Sequence, residues 1–426
     1  MRNQVIFYGA GQYAVKMLQP NPGRRGPVSP PPIEWGICFV DSDKNKHGSS
    51  HLGLPIMSAD TALGRFPNAN IYLTVGSMKA KYDICCYLQD LGVASDRILN
   101  RVVRRISCPY LEHFIVCGYH EGAFGGRAGV DCGSHSLKSC CSDYGKNNVD
   151  SILVGDSLPQ AFEAFIRLRD GIIQRLNAGE PTSCDGCPEL QHMYAPIQRY
   201  FTHVIYNELG RCNFRCIYCN YEDRLGRDIS SDVDVRQLLG LVQQYGFDND
   251  NGVIELCNGE ITIHPHKKAI YDAVKDNNVM FLTNGFVYDE EIQRRMLDGK
   301  GVLNISLDSG TKSTFFKVKG VDAFERVVQN LKRYNRNRKG ILNLKYIFVP
   351  GVNDNMVDVN GFLNICTLLS VTSAHISFDL RQPEDAFNNE RTVSVFKHVV
   401  AELKRQSIPF EVYLKDVFSL IGLSST

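Results

Sequence analysis

Three cysteines on one short segment carry the clearest chemistry in this chain of 426 residues. Cys212, Cys216 and Cys219 follow the spacing C-x3-C-x2-C, and Tyr218 directly precedes the last of them. Thiolates are the preferred ligands of iron–sulfur clusters, so three on one loop can hold three irons of a [4Fe–4S] cube. The fourth iron then has no protein ligand and can bind a small chelating molecule. Structural zinc, the competing interpretation, takes four protein ligands, and this segment offers three.

The composition is that of a globular protein with sizeable cores, at 43% hydrophobic and 22% charged residues. The length favours two or three domains. A net charge of +1 gives no overall attraction for nucleic acid or an anionic membrane, so we expect neither partner. No apolar run approaches the ~20 residues that span a bilayer, and the N-terminus lacks a signal-peptide pattern. Fifteen clustered cysteines favour metal or redox chemistry in a reducing compartment, which predicts the cytoplasm.

Residues 1–105 have the pattern of a nucleotide-binding domain. The strand-like run Val5–Tyr8 is followed at once by Gly9, Gly11 and a helix-like stretch, which gives G-x-G-x-x-A between a strand and a helix. A second predicted strand ends at Asp41, where these folds place the acid that binds a ribose. The region resembles the Rossmann-like N-terminal domains of bacterial sugar-modifying enzymes. This resemblance implies a parallel sheet and, unless the ligand has been lost as in many such domains, a bound nucleotide or nucleotide sugar.

From residue 200 to residue 426 the pattern is strand, loop and amphipathic helix, repeated about six times. Such repeats predict a parallel α/β unit with functional groups at the carboxyl ends of the strands. Two of the intervening helices are Val235–Tyr245 and Phe324–Tyr334. The predicted strands are His203–Glu208, Val253–Leu256, Val279–Leu282, Val302–Leu307, Leu342–Phe348 and Ala374–Phe378.

The cysteine spacing and the strand ends together resemble the radical S-adenosylmethionine (SAM) superfamily, which implies a partial (β/α)6 TIM barrel. Tyr218 occupies the aromatic slot that in the family lies against the SAM adenine. Asn258-Gly259-Glu260 is similar to the family's Gly-Gly-Glu turn, whose carboxylate balances the SAM ammonium, although Asn258 replaces the first glycine. Other strand ends match positions that in the family contact SAM or that suit contact with substrate: Asn284, Ser306, Asp308, residues 349–354, Asp379 and Arg381.

Residues 106–195 form a cysteine-rich bridge between the two predicted domains. Its cysteines are Cys108, Cys117, Cys132, Cys140, Cys141, Cys184 and Cys187. Cys184 and Cys187 form a C-x2-C turn, usually half of a zinc site, and the other half could come from Cys140 or Cys141 with Cys108, Cys117 or Cys132. The order also resembles the SPASM or twitch auxiliary-cluster segments of radical SAM enzymes, with Leu158–Leu176 as their helix, although those segments usually follow the barrel. The expected ligands of a second cluster or a zinc ion are therefore Cys140, Cys141, Cys184 and Cys187, with buried structural thiols as the alternative.

The radical SAM resemblance implies a reaction. Cys212, Cys216 and Cys219 hold the cluster, Glu260 fixes the ammonium of SAM, and a flavodoxin or ferredoxin supplies one electron. Reductive cleavage of SAM then gives methionine and a 5′-deoxyadenosyl radical, which abstracts a hydrogen atom from the substrate. We therefore predict a radical SAM enzyme.

Three hypotheses about its function stay open at this point. The Rossmann-like region favours modification of a sugar, a nucleotide sugar or another small metabolite. The cysteine-rich bridge favours a peptide or protein substrate, as in SPASM-type maturases, although no winged-helix peptide-recognition domain is visible in the sequence. The third is a non-catalytic iron–sulfur or zinc protein, against which the intact Glu260 and Tyr218 argue.

Overall fold

The computed structural model describes most of the chain. The described residues are 4–18, 30–119, 135–139, 151–187, 189–197, 199–207, 211–219, 233–257, 259–379 and 388–412. Six residues named above lie outside them: Cys132, Cys140, Cys141, Glu208, Asn258 and Arg381. In the described part of the chain, no helix combines the length and the apolar character needed to cross a membrane.

The N-terminal unit is a five-stranded sheet with helices on both faces. Its strands are β1 (Val5–Tyr8), β2 (Gly36–Val40), β3 (Ser50–His51), β4 (Leu54–Met57) and β5 (Asn70–Leu73), and its helices are α1 (Gln12–Leu18), α2 (Ala59–Arg65) and α3 (Met78–Asp90). The sheet order is β3-β4-β2-β1-β5, and only β3 runs antiparallel to its neighbour.

Alternate residues of β1 enter two separate cores. Ile6 and Tyr8 pack with α2 and α3, whereas Val5 and Phe7 pack with α1. A strand that is apolar on both sides is what a parallel sheet covered by helices requires, which is why the sequence reads as a continuous apolar run here. The predicted parallel sheet is confirmed.

A short connecting layer follows the N-terminal unit. It consists of β6 (Val102–Ser107), α4 (Pro109–His113), β7 (Phe114–Tyr119), β8 (His135–Lys138), β9 (Ile152–Val154), α5 (Leu158–Ala178) and β10 (Gln191–Pro196). β6 pairs only with β10 among the described strands, in antiparallel register. The Ser157 hydroxyl caps the start of α5, and Gly179 ends it in the left-handed conformation that favours glycine.

The large sheet contains the six strands predicted for the barrel. They are β11 (His203–Asn207), β12 (Val253–Leu256), β13 (Asn278–Thr283), β14 (Gly301–Ser306), β15 (Ile341–Phe348) and β16 (Ser373–Phe378), and β17 (Phe410–Val412) follows. The sheet order is β17-β16-β15-β14-β13-β12-β11-β7-β8-β9, and all neighbours from β17 to β7 are parallel. The predicted α/β class is confirmed. The sheet also incorporates β7, β8 and β9 from the predicted bridge, and the boundaries at residues 105 and 195 stay a prediction.

Among the described residues, the helices that follow the strands of this sheet pack against one of its faces. They are α6 (Val235–Tyr245), α7 (Lys267–Ala273), α8 (Glu290–Asp298), α9 (Lys312–Lys319), α10 (Phe324–Asn335), α11 (Met356–Leu368) and α12 (Glu390–Arg405). Val204 and Tyr206 of β11 enter the main core under these helices, whereas Ile205 joins Val116 and Cys257 in a separate cluster on the opposite side. We call this opposite side the inner face.

Candidate functional site

The cysteine loop follows β11 at the carboxyl end of the parallel strands. Its backbone is fixed to two neighbouring segments. The amide of Glu260 donates to the carbonyl of Arg211 at 2.6 Å, and the amide of Arg215 donates to the carbonyl of Lys319 at 3.0 Å. Phe214 is buried between Phe286 and Phe315, with ring centroids 5.9 Å away in both cases. These contacts hold the loop against the turn after β12 and the end of α9.

The three loop cysteines are partly buried, and all are free thiols. Burial raises the pKa of Cys212 to about 11, and burial also raises that of Cys216. Cys212 Sγ accepts from the amide of Phe214 at 3.4 Å and from Asn284 Nδ2 at 3.7 Å. Donors of this kind stabilise a sulfur that carries negative charge, whether as a thiolate or as a cluster ligand.

A [4Fe–4S] cluster suits this donor set better than a single ion does. In the described part of the chain, no group of three or more His, Cys, Asp or Glu side chains is arranged to hold one metal ion. A cube does not need such convergence, because each iron takes its own thiolate. Three half-buried thiols on a fixed loop, with amide donors beside Cys212, therefore fit a cluster.

Glu260 is completely buried, and its carboxylate joins two strand ends. It accepts from the amide and hydroxyl of Thr262 at 3.1 and 2.6 Å, from the hydroxyl of Thr283 at 2.7 and 2.9 Å, and from the amide of Asn284 at 2.7 Å. Burial raises the pKa of the Glu260 carboxyl above its ordinary value, although these hydrogen bonds act to lower it. Gly259 has φ +148°, which favours glycine. The predicted contact of Glu260 with the SAM ammonium stays a prediction, and the observed role of the carboxylate is to fix the turn beside Asn284.

Asp308, a predicted site residue, forms a buried charged network with Lys319, which was not predicted from the sequence. Its carboxylate pairs with Lys319 and accepts from the Tyr218 hydroxyl, and its second oxygen accepts from the amide of Ile347 at 2.7 Å. Burial acts to lower the pKa of Lys319, but Asp308 and Cys216 together raise it above its ordinary value. Lys319 lies four residues after buried Phe315, on the buried side of α9. That apolar-face position was the signal available in the sequence.

The remaining predicted strand-end residues have different surroundings. Ser306 is half-buried on the inner face and lies beside Lys345 in the register of β14 and β15. In the 349–354 turn, Asn353 donates to the carbonyl of Asp308 at 2.9 Å, so this turn supports the network from β15. The amide of Asp379 donates to the carbonyl of Phe348 at 3.0 Å.

In the N-terminal unit, the carboxylate of Asp41 already accepts hydrogen bonds from other protein groups. Its carboxylate accepts from the amide of Ala10 at 3.0 Å, from that of Asp43 at 2.9 Å and from Lys46 at 2.9 Å. Gly9 has φ +112°, and a Cβ there would lie 2.7 Å from Val75, so only glycine fits this turn; Gly11 has open space around it. A ribose at Asp41 would have to displace existing donors. Nucleotide binding by Gly9, Gly11 and Asp41 stays a prediction.

Among the bridge cysteines, the structure brings Cys108 to the C-x2-C turn. Cys108 and Cys184 belong to one buried cluster, and the amide of Cys187 donates to the carbonyl of Cys184 at 3.0 Å. Cys117 instead enters the main core under the helices. Cys140 and Cys141 lie outside the described residues, so their part in a second site stays a prediction.

Comparison with known proteins identifies the barrel region. Residues 207–362 match the family model of the radical SAM superfamily. The match begins at the end of β11, includes the cysteine loop and the Glu260 turn, and runs into α11. The chain therefore contains a radical SAM domain, and the resemblance drawn from the sequence is confirmed.

Curated relatives match a segment of this chain that is similar in length to the family match. The chain is 28% identical over 169 residues to "Probable GTP 3',8-cyclase" of Saccharolobus islandicus, which is 39% of this chain and 53% of the relative. It is 27% identical over 168 residues to the protein of that name from Sulfurisphaera tokodaii, covering 39% and 52%. The chain thus spans about half the length of the curated relatives it matches.

Solved structures give weaker likenesses. Streptococcus suis SuiB bound to its precursor peptide SuiA matches 63% of this chain and 58% of its own, with 12% identity and a TM-score of 0.45. A radical SAM methyltransferase from Sphaerobacter thermophilus matches 59% of this chain and 83% of its own, with 13% identity and a TM-score of 0.37. Both TM-scores are below 0.5.

Proposed function

We propose that this chain uses its radical SAM domain to cleave SAM reductively and to abstract a hydrogen atom from a small, polar substrate. The observation that carries the proposal is the cysteine loop, held by backbone hydrogen bonds against the Glu260 turn and the end of α9. When bound, a [4Fe–4S] cluster with one open iron supplies the electron that splits SAM into methionine and a 5′-deoxyadenosyl radical. A flavodoxin or ferredoxin in the cytoplasm is the electron donor we propose.

The protein's own residues have three tasks in this reaction. Cys212, Cys216 and Cys219 hold the cluster. Glu260 fixes the turn that receives the methionine moiety, because its carboxylate ties Thr262 to Asn284. The carboxyl ends of parallel strands, where these groups lie, are where barrels of this class place their chemistry.

The inner face supports a sugar, a nucleotide sugar or another small metabolite as the substrate. Across β14, β15 and β16 it presents a polar row of Ser306, Lys345 and His375 in register. A second row carries Asn304 and Asn343, joined by a hydrogen bond of 2.8 Å. Hydroxyl-rich ligands need such donors and acceptors. The curated relatives, named as cyclases of GTP, also act by their names on a nucleotide.

A peptide or protein substrate is the second candidate. The observation that favours it is the shared buried cluster of Cys108 and Cys184 beside Cys187, because auxiliary-cluster segments of peptide-modifying relatives use such a turn. The first candidate rests on more of the described structure, since it uses the inner face itself.

Iron and sulfide analysis tests the cluster. The full chain is reconstituted anaerobically beside a variant with Cys212, Cys216 and Cys219 changed to Ala. Cys86→Ala, which removes a half-buried thiol from α3, is the matched control. We expect the triple variant to lose about four irons relative to wild type and to the control. Equal iron in all three proteins would contradict the proposal.

The substrate class is tested by product formation. SAM cleavage is measured with deuterated nucleotide sugars and with deuterated peptides, each supplied separately. We expect deuterium in 5′-deoxyadenosine with a nucleotide sugar or another small metabolite. Deuterium transfer only from peptides would favour the peptide or protein substrate over the small metabolite. Iron retained by the triple cysteine variant would also support the peptide or protein substrate.

A further inference from the structure

The outer side of the cysteine loop lies against the end of α9 and faces solvent. The amides of Arg215 and Ile217 donate to the carbonyls of Lys319 and Val318 at 3.0 and 2.9 Å. Arg215 and Ile217 are exposed, whereas Cys216 between them is half-buried. The cysteine therefore turns inward, and the residues on either side of it form part of the surface.

The helix α9 continues this surface with Phe316 and Lys317, which are both exposed. Gly320, directly after α9, lies against the loop, because a Cβ on Gly320 would be 2.9 Å from the carbonyl oxygen of Arg215. The amide of Gly320 donates to the carbonyl of Phe316 at 2.9 Å, so one helical turn separates Phe316 from the loop. We call Arg215, Ile217, Phe316 and Lys317 the loop–α9 surface.

The loop–α9 surface has an apolar centre, since Ile217 is 39% and Phe316 54% exposed. It also carries positive charge. Within the described part of the chain, Arg215 and Lys317 form no ion pair. The guanidinium of Arg215 donates instead to the carbonyl of Phe214 at 3.0 Å, which leaves its charge without a counter-ion.

The exposed acids that follow α9 are already paired elsewhere. Asp322 and Glu325 lie 3.3 and 4.0 Å from Lys312, at the other end of the helix. The loop–α9 surface is therefore a local positive patch on a chain whose net charge is only +1.

We propose that the loop–α9 surface is the docking site of an acidic one-electron carrier protein that reduces the cluster. The inference rests on the proposed function for the presence of the cluster. One electron leaves the reduced carrier and enters the cluster. The carrier is thus oxidised and the cluster reduced by one electron each, and no bond forms or breaks.

Position and charge both favour this partner. Ile217 directly follows Cys216 and stands two residues before Cys219, so a protein seated on it lies beside two of the three expected cluster ligands. Cations around an apolar centre attract an acidic partner and orient it. Two exposed apolar side chains suit the small, transient interfaces of redox partners, and aromatic and arginine residues are enriched in interfaces.

The test uses a flavodoxin and a ferredoxin, both acidic, as separate reductants of the reconstituted full chain. Phe316→Asp places a negative charge in the apolar centre, and Lys317→Glu reverses a charge at its rim. Leu368→Asp and Lys397→Glu make the same kinds of change at exposed residues of α11 and α12, and they are the matched controls. Cluster reduction is followed by absorbance. Binding of each carrier is measured independently by fluorescence anisotropy.

We expect Lys317→Glu to slow reduction by both carriers about tenfold at low salt, because electrostatic steering is lost. This difference should shrink at high salt, where the charges are screened. Phe316→Asp should weaken carrier binding at both salt concentrations, because docking would bury an unpaired charge. Dithionite, which needs no docking site, should reduce wild type and all four variants to the same extent.

Other results separate this inference from the proposed function. Rates and affinities of Phe316→Asp and Lys317→Glu equal to those of the two controls would overturn the docking site, as would a wild-type cluster that neither carrier reduces. A wild type that both carriers reduce but that does not cleave SAM would overturn the proposed function and leave the docking site in place. If wild type binds no iron, the proposed function fails and the anisotropy measurement alone decides this inference.

Discussion

Replacing Asp308 by Asn should destabilise the barrel strongly, because it leaves the Lys319 cation buried without its counter-charge. Asp308 is 0% and Lys319 1% exposed, and the two form a direct ion pair. Removing one partner of such a pair costs about 3–5 kcal/mol. The exposed pair of Arg294 and Asp298, at 2.9 Å, provides the control, and Asp298→Asn should cost no more than about 1 kcal/mol.

A double-mutant cycle separates the charge from the space it fills. Asp308→Asn combined with Lys319→Met replaces the pair by uncharged groups, and we expect the double variant to be more stable than Asp308→Asn alone. Because the pKa of Lys319 is raised, its contribution is complete below the unfolded value of about 10.4. The contribution is lost only as pH rises through the higher folded value.

The assay must report on the barrel rather than on the N-terminal unit. The single tryptophan, Trp35, precedes β2, so its fluorescence follows the wrong part of the chain. Hydrogen exchange of peptides that cover β14 and β15 reports on the strands around Asp308 directly. Exchange in Asp308→Asn that matches wild type and Asp298→Asn would refute the reasoning from a buried ion pair.

Three further predictions concern other parts of the structure. Glu112 is buried and accepts a hydrogen bond of 2.8 Å from Arg105; burial acts to raise the pKa of Glu112, but Arg105 holds it below the ordinary value. In urea titrations, wild type should therefore be more stable than Glu112→Gln by about 2 kcal/mol. This difference should be complete above about pH 4.5 and should fall as the pH decreases through the lower pKa of the folded state. Gly310→Ala should lower the free energy of unfolding by about 3 kcal/mol, because its Cβ would lie 2.0 Å from the carbonyl oxygen of Asp358. Gly240→Ala, which has open space around it in α6, should raise the free energy of unfolding by about 0.5–1 kcal/mol. Equal denaturation midpoints for the two variants would contradict this. Cys184→Ser should lower bound zinc or iron without changing the iron held by the cysteine loop, and metal content identical to wild type would leave that turn structural.

The strands of the barrel were readable from the sequence, because each is a buried apolar run bounded by turn residues. All six predicted strands appear within one or two residues of their expected bounds, and Val235–Tyr245 was predicted without error. The strand β7 was not predicted as part of the barrel. Its residues lie in the cysteine-rich bridge, and its pairing with β11, about ninety residues away in sequence, is a long-range contact that no local pattern encodes.

The motifs of the candidate site could be found in the sequence, but its hydrogen-bond and ion-pair networks could not. C-x3-C-x2-C and the Glu260 turn are local patterns, so they could be found directly. Lys319 was missed although it lies on the apolar face of α9, because a buried lysine is unfavourable until Asp308, eleven residues earlier, supplies the opposite charge through the fold. The contact of Asp41 with the glycine turn was equally hidden, since its donor, the amide of Ala10, lies thirty-one residues earlier in the sequence.

SAM cleavage by the purified chain tests the central claim most directly. Methionine and 5′-deoxyadenosine are measured anaerobically after reduction with dithionite, for wild type, Cys212→Ala and the control Cys86→Ala. We predict that wild type and Cys86→Ala form both products in equal amounts and that Cys212→Ala forms neither. Full activity in Cys212→Ala, or no cleavage by a wild-type chain that carries a complete cluster, would contradict the proposal that this chain cleaves SAM as a radical SAM enzyme.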